Sequence, residues 1–192
     1  MKRIRISELK DTLSAARCLP GKLLVVNSPH GRVSGVITET EAYLSDDPAC
    51  HAYRGMTERN RDMFLSPGHI YVYRIYGMHL CVNIVTAPPG VGEAVLIRAA
   101  MPVRGIDLMR RRRGLADVRL LARGPANLVK AFGIEADASG SKLFDGVISV
   151  YDTEKDPPDI AASPRIGVSC GKELEYRFYC KSLKDFVSHY KS

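Results

Sequence analysis

The chain contains no tryptophan, so its large aromatic contacts fall to nine tyrosines and five phenylalanines. No apolar run approaches the ~20 residues that a membrane-spanning helix needs, which predicts no membrane partner. The basic start Met1-Lys-Arg-Ile-Arg-Ile leads into the polar stretch Ser7–Asp11 instead of an apolar segment, so a signal peptide is not expected. Five cysteines make an odd count with no C-x-x-C pair, in a chain too long to need disulfide staples. That usage fits a reducing cytoplasm. The glycine-rich phosphate loops and the G-x-S-x-G nucleophile turn are absent too, which removes the commonest nucleotide-binding and hydrolase signatures.

What is present is a basic globular chain. Its 192 residues suit one domain spanning residues 1–192, with 45% hydrophobic and 26% charged residues. The net charge is +7 and the pI is near 9.2. A balance of that sign favours a polyanionic partner, because each neutralised phosphate releases condensed counterions.

Along the chain, Ser7 is a candidate N-cap for a helix whose Leu9, Leu13 and Ala16 share one face, ended by Pro20-Gly21. Leu23–Asn27 reads as a strand. Val33–Tyr43 reads as another, with Ile37, Glu39, Glu41 and Tyr43 on one face by alternation. The stretch from Leu44 to Gly68 is polar and aperiodic, and Tyr53, Met63 and Phe64 mark it as an ordered functional loop. Ile70–Ile75 and Leu80–Thr86 form a predicted hairpin around Tyr76-Gly77-Met78, followed by a strand over Glu93–Ala100. Helices are predicted for Ile106–Arg113 and from Gly124-Pro125 to Gly133. Asp152–Pro164 is read as an acidic surface loop, and Arg165–Cys170 and Tyr176–Cys180 as closing strands. The expected fold is α+β: a curved, mostly antiparallel sheet with surrounding helices.

Four groupings carry chemistry. Glu39 and Glu41 project from one strand face roughly 6.5–7 Å apart at Cα, either as a solvated edge or as catalytic carboxylates. Tyr71 and Tyr73 share a face and Tyr76 sits at the turn, which suits core packing and a base-stacking platform equally. Cys50-His51 and His79-Leu80-Cys81 do not have the spacing of a zinc site, so no metal is expected. Arg110–Arg113, Arg119 and Arg123 read individually as a solvated face and together as a phosphate track. Arg98 ends the apolar run Ala94–Ile97, and if buried it needs a partner such as Glu41 or Glu39.

Read in order, TETEAYL (38–44), DPACHAYRGMTERN (47–60), MFLSPGHIYVYRIYGMHLCVN (63–83), AVLIRAAMP (94–102), RGPANLVKAFGI (123–134) and RIGVS (165–169) resemble the alkyladenine (3-methylpurine) DNA glycosylase family in its compact, bacterial-type form. The likeness runs from about Leu19 to Tyr179. It implies a single mixed α/β domain around an antiparallel sheet. Carried over by position, it implies that Glu41 is the general base activating a water and that Arg98 helps to hold that water. Tyr43, His51 and Tyr73 match the residues enclosing a flipped base, and Tyr76 the side chain inserted into the minor groove. Asn83 matches the residue that crowds the exocyclic amino group of normal guanine.

The implied reaction is hydrolysis of the N-glycosidic bond of an alkylated or deaminated purine flipped from duplex DNA. No lysine in these motifs is placed to form a Schiff base, so the expected product is an abasic site without strand cleavage. Cofactors are not required. A monomer in the cytoplasm, nucleoid-associated when bound to DNA, is expected. Two other readings stand beside this one: a non-catalytic module for distorted DNA, and a carbohydrate glycosidase using Glu39 and Glu41.

Overall fold

In the computed structural model, which describes residues 2–9, 11–153 and 158–188, strand β2 (Gly31–Tyr43) is the axis of the fold. Its β-branched and small residues suit a strand buried on both faces, and it has neighbours on both edges. One edge pairs with β5 (Ala94–Arg104) along most of its length. The other edge pairs first with β1 (Leu23–Ser28) as far as Val36, and then with β8 (Arg177–Cys180) at Glu39–Glu41. Beyond β5 lie β4 (His79–Val85) and β3 (Ile70–Ile75), while β6 (Ile148–Tyr151) extends β1 and β7 (Ile160–Ser163) extends β8. Every strand pair is antiparallel. The expected α+β class with a curled antiparallel sheet is borne out.

Alternation divides the sheet into two faces. Ile70, Val72, Val82, Ile84, Val95 and Ile97 enter the main apolar core, which α1 (Thr12–Cys18) and α4 (Pro125–Phe132) help to build through Ala15, Ala16, Leu128 and Phe132. The intervening Tyr71, Tyr73, Asn83 and Leu96 point the other way. The register aligns Tyr71, Asn83, Leu96, Glu41 and Arg177 as one transverse row crossing β3, β4, β5, β2 and β8. One register line therefore gathers side chains that are more than a hundred residues apart in sequence.

β-Bulges break strict alternation in the middle of β2. Ile37 pairs with Ala100 and Glu39 with Ala99, leaving Thr38 as an extra residue; Thr40 then pairs with Ile97, leaving Arg98 extra on β5. A bulge of this kind re-aims side chains. Ile37 consequently joins the main core with Ala42, the residue expected on the opposite face.

Several boundaries differ from the sequence expectation. Ser7 lies inside a short 3-10 turn, Ile6–Leu9, and the N-cap of α1 is Asp11, which accepts a hydrogen bond from the Ser14 amide at 2.7 Å. β5 runs on to Arg104. Between α2 (Ile106–Arg113) and α4 lies α3 (Val118–Leu121), four residues long and too short to show a period. Arg165–Cys170 is irregular, not a strand, because its backbone and side chains bind the ends of β2 and the loop after it. Within the expected loop Asp152–Pro164, Ile160–Ser163 is strand β7, and residues 154–157 lie outside the described part. Among the described residues no helix is long and apolar enough to cross a membrane.

Candidate active site

Glu39 and Glu41 are both completely buried, and Arg98 lies between them. Arg98 donates from Nε to Glu39 Oε1 and from Nη1 to Glu41 Oε2, each at 3.1 Å. Glu39 also accepts from Arg177 Nε at 2.5 Å and from the Ser188 amide at 2.8 Å. Glu41 instead accepts from the Tyr43 hydroxyl at 2.8 Å and from the Ile166 amide at 2.9 Å. Buried charges are tolerated only with partners of this quality.

The two acids are thereby pushed apart electrostatically. Burial is the largest influence on Glu39 and raises it, but Arg98, Arg177 and the Ser188 amide together outweigh burial and hold it below the ordinary carboxylate value. At Glu41 burial prevails over Arg98, the Ile166 amide and Tyr43, and its carboxyl is raised, with Glu39 adding to the rise. The two acids therefore sit in environments that set them in opposite directions. Alternation alone left the two equivalent; their partners separate them.

Around this centre lie two cavities that share Tyr43, Tyr73, Gly167 and Val168. One, of about 260 Å3, is lined by Tyr43, His51, Tyr71, Tyr73 and Asn83, among others. The Tyr71 and Tyr73 rings stack at 5.5 Å, and His51 meets Tyr73 edge-on at 4.4 Å. His51 Nδ1 lies 3.1 Å from the Tyr71 hydroxyl, and burial, helped by Arg59, lowers the imidazole's pKa. Burial raises Tyr71 to about 12, so it keeps its proton at neutral pH. Asn83 donates from Nδ2 to the Tyr71 carbonyl at 3.1 Å. The His51 carbonyl is held by Asn60 Nδ2 at 2.8 Å, which braces the 44–68 loop internally, and Arg59 Nη2 ties that loop to β3 by donating to the Arg74 carbonyl at 2.9 Å.

The second cavity, about 420 Å3, is lined by Tyr43, Tyr73, Tyr76, Arg59, Arg98 and Ile166, among others. Three of these residues, Tyr43, Arg98 and Ile166, are the partners of Glu41, so its carboxylate lies directly behind the cavity wall. Of Glu39's partners, Arg177 and Ser188 line neither cavity. A mechanism needing both carboxylates at a sugar is therefore poorly served. Tyr76 is 89% exposed, at the tip of the β3–β4 hairpin, with φ of +47°.

The seven residues that the family resemblance implicates thus fall in one region: Arg98, Tyr43, His51, Tyr73 and Asn83 in the walls, Glu41 behind them and Tyr76 at the rim. Tyr71, which the sequence marks as a core or stacking residue, lies on the face that alternation assigns and adds a contact to His51 Nδ1. Four further residues, Arg177, Arg165, Asp47 and Ile166, come from the far end of the chain or from the loop, and no local pattern gives them a role. Cys50 and Cys81 are buried in this region, whereas His79 is exposed. Among the described residues no group of three or more His, Cys, Asp or Glu side chains could hold a metal ion.

Comparison with known proteins gives this geometry a context. The methylpurine-DNA glycosylase (MPG) family profile matches residues 7–184. A relative from Methanoculleus marisnigri is 48% identical over 179 residues, covering 91% of this chain and 93% of the relative. One from Carboxydothermus hydrogenoformans is 47% identical, also covering 91% and 93%. A third, from Nitrosospira multiformis, is 46% identical and covers 88% and 84%. Each carries the name "Putative 3-methyladenine DNA glycosylase". The class is a DNA glycosylase of base-excision repair, an enzyme that acts on DNA. Within it, the chain belongs to the methylpurine-DNA glycosylase family.

Proposed function

We propose that this enzyme, as one glycosylase domain, excises alkylated or deaminated purines from duplex DNA with Glu41 as general base. The observation that carries the reading is Glu41 itself: a buried carboxylate with a raised pKa, joined to Arg98 and backing a cavity rimmed by an exposed tyrosine. The raised pKa makes Glu41 the stronger proton acceptor of the two acids. A carboxylate has about four acceptor directions, and Glu41 uses three, leaving one for a water. Arg98 is the nearest cation to help to orient that water.

A base within the duplex must first rotate out, at a cost of a few kcal/mol. Tyr76, exposed on a hairpin tip, is positioned to fill the vacated stack. The extruded purine then enters between Tyr43, His51 and Tyr73. A positively charged N-alkylpurine gains roughly 0.5–2 kcal/mol from the tyrosine faces, and its charge also weakens the bond to the sugar. As the base departs, Glu41 stabilises the oxocarbenium-like sugar and takes the proton of the attacking water. Asn83, fixed to the Tyr71 carbonyl, limits space for the amino group of normal guanine. The lowered pKa of His51 keeps its ring neutral, which avoids repelling a cationic base.

Among the described residues neither cavity is lined by a lysine, which supports simple hydrolysis without a Schiff base or strand cleavage. The enzyme acts as a cytoplasmic monomer on the nucleoid, without a cofactor. The test uses labelled duplex containing hypoxanthine and, in parallel, methylated DNA. Wild type is expected to release free base and leave strands intact until alkali treatment. Release from neither substrate sinks the proposal, and breakage without alkali refutes the hydrolysis-only part.

A further inference from the structure

We infer that Arg165 is a positioning residue that sets how the cavity discriminates between positively charged and neutral purines. The inference rests on Tyr43 forming one wall of the base pocket. Arg165 is wholly buried and lines neither cavity, whereas Tyr43 lines both. Its guanidinium carbon lies over the Tyr43 ring, 4.8 Å from the centre; Tyr43 lines both cavities and Arg165 neither, which argues that the cation takes the ring face turned away from them. Tyr176 flanks the same guanidinium at 5.4 Å.

The placement is enforced. Nη1 donates to the Ala42 carbonyl at 3.1 Å and to Asp47 Oδ2, and Nη2 donates to Asp47 Oδ1 at 2.9 Å. Asp47 also caps the Ala49 amide at 3.0 Å, which joins the start of the 44–68 loop to the Arg165 segment. The Nε donor is buried and unpartnered. Hydrogen bonding alone does not favour that orientation, because an orphaned buried donor is costly; contact with the tyrosine faces supplies a reason for it.

The consequence for Tyr43 is electronic. A ring attracts a cation through the negative face of its quadrupole. A cation already held on one face draws that density away from the other. The cavity side of Tyr43 then binds a charged N-alkylpurine less strongly, while stacking of a neutral purine, which depends mainly on contact area, changes little. Asp47 acts as a counterweight by neutralising part of the charge. Recognition is thus tuned by a residue that touches no DNA.

Two substitutions push the balance in opposite directions. Asp47→Asn keeps the Oδ1 acceptor but leaves the guanidinium uncompensated. It is expected to lower the ratio of single-turnover release, 7-methylguanine over hypoxanthine, by about two- to tenfold. Arg165→Gln combined with Asp47→Asn keeps a hydrogen-bonding pair without charge and is expected to raise the ratio by a similar factor. Arg165→Lys keeps the charge and should stay nearest the wild-type ratio. A purely structural role lowers both rates together and leaves the ratio alone. An unchanged ratio in both variants, or a shift of both in one direction, overturns the inference. If the neutral pair does not fold, Asp47→Asn decides by itself. Failure of the wild type to release either base strikes at the pocket assignment instead.

Discussion

Replacing Glu39 by glutamine is the sharpest test of the charged network, because its effects on stability and on pH dependence are separable. Glu39 is completely buried and is the common acceptor for Arg98 and Arg177. Breaking a buried ion pair by neutralising one partner costs about 3–5 kcal/mol. Glutamine keeps an acceptor oxygen, so about 3 kcal/mol is the working figure, against a total stability of about 5–15 kcal/mol. With a urea m-value of about 1–3 kcal/mol/M, the unfolding midpoint should fall by about 1–3 M. The pH dependence has a definite sign. The folded pKa of Glu39 is lowered, so its stabilisation is present above the ordinary value of 4.5 and is lost as pH falls through the lowered one. The gap between wild type and Glu39→Gln should therefore be full at pH 7 and close in acid. Glu39 also helps to raise Glu41, so its removal should move the acid limb of the rate profile to lower pH. Urea titrations from pH 3 to 8, paired with single-turnover rates, read both effects. A midpoint unchanged at pH 7, or an acid limb moved upward, refutes the reasoning.

Two further substitutions probe the cavity and its rim. Tyr76→Ala removes the exposed tip residue without touching the core; duplex affinity and base release should fall while the thermal midpoint stays within about 1–2 °C, since surface changes are usually within ±0.5 kcal/mol. Equal release by mutant and wild type from duplex substrate contradicts a wedge role. Asn83→Ala should increase release of normal guanine relative to hypoxanthine, as measured by free-base chromatography. A proportional loss with both bases argues that Asn83 acts only through its bond to the Tyr71 carbonyl.

The sequence was most legible where chemistry follows alternation. Tyr71, Tyr73 and Asn83 sit on the face that period two assigns, because β3 and β4 form a regular hairpin with no slip in register. Period two failed at Ile37, where the bulges at Thr38 and Arg98 pass the chain from one face to the other. Those bulges also bring Arg98 beside both acids, a placement that a one-dimensional pattern cannot encode. Glu41 and Glu39 remained indistinguishable by pattern, and only the resemblance singled out Glu41. Physical separation arises from Arg177 and Ser188 on one acid and Ile166 on the other, more than a hundred residues away. The residues of Arg165–Cys170 have the look of a strand, but the segment is irregular and its Ile166 amide donates to Glu41 instead of to a ladder.

The central claim is that Glu41 does the proton transfer, and single-turnover base release by Glu41→Gln tests it most directly. With enzyme saturating over a hypoxanthine duplex, general-base loss predicts a rate at least about 10²-fold below wild type. Affinity for the same duplex should be little changed, because the glutamine amide preserves the shape of the site. Release at the wild-type rate contradicts the assignment.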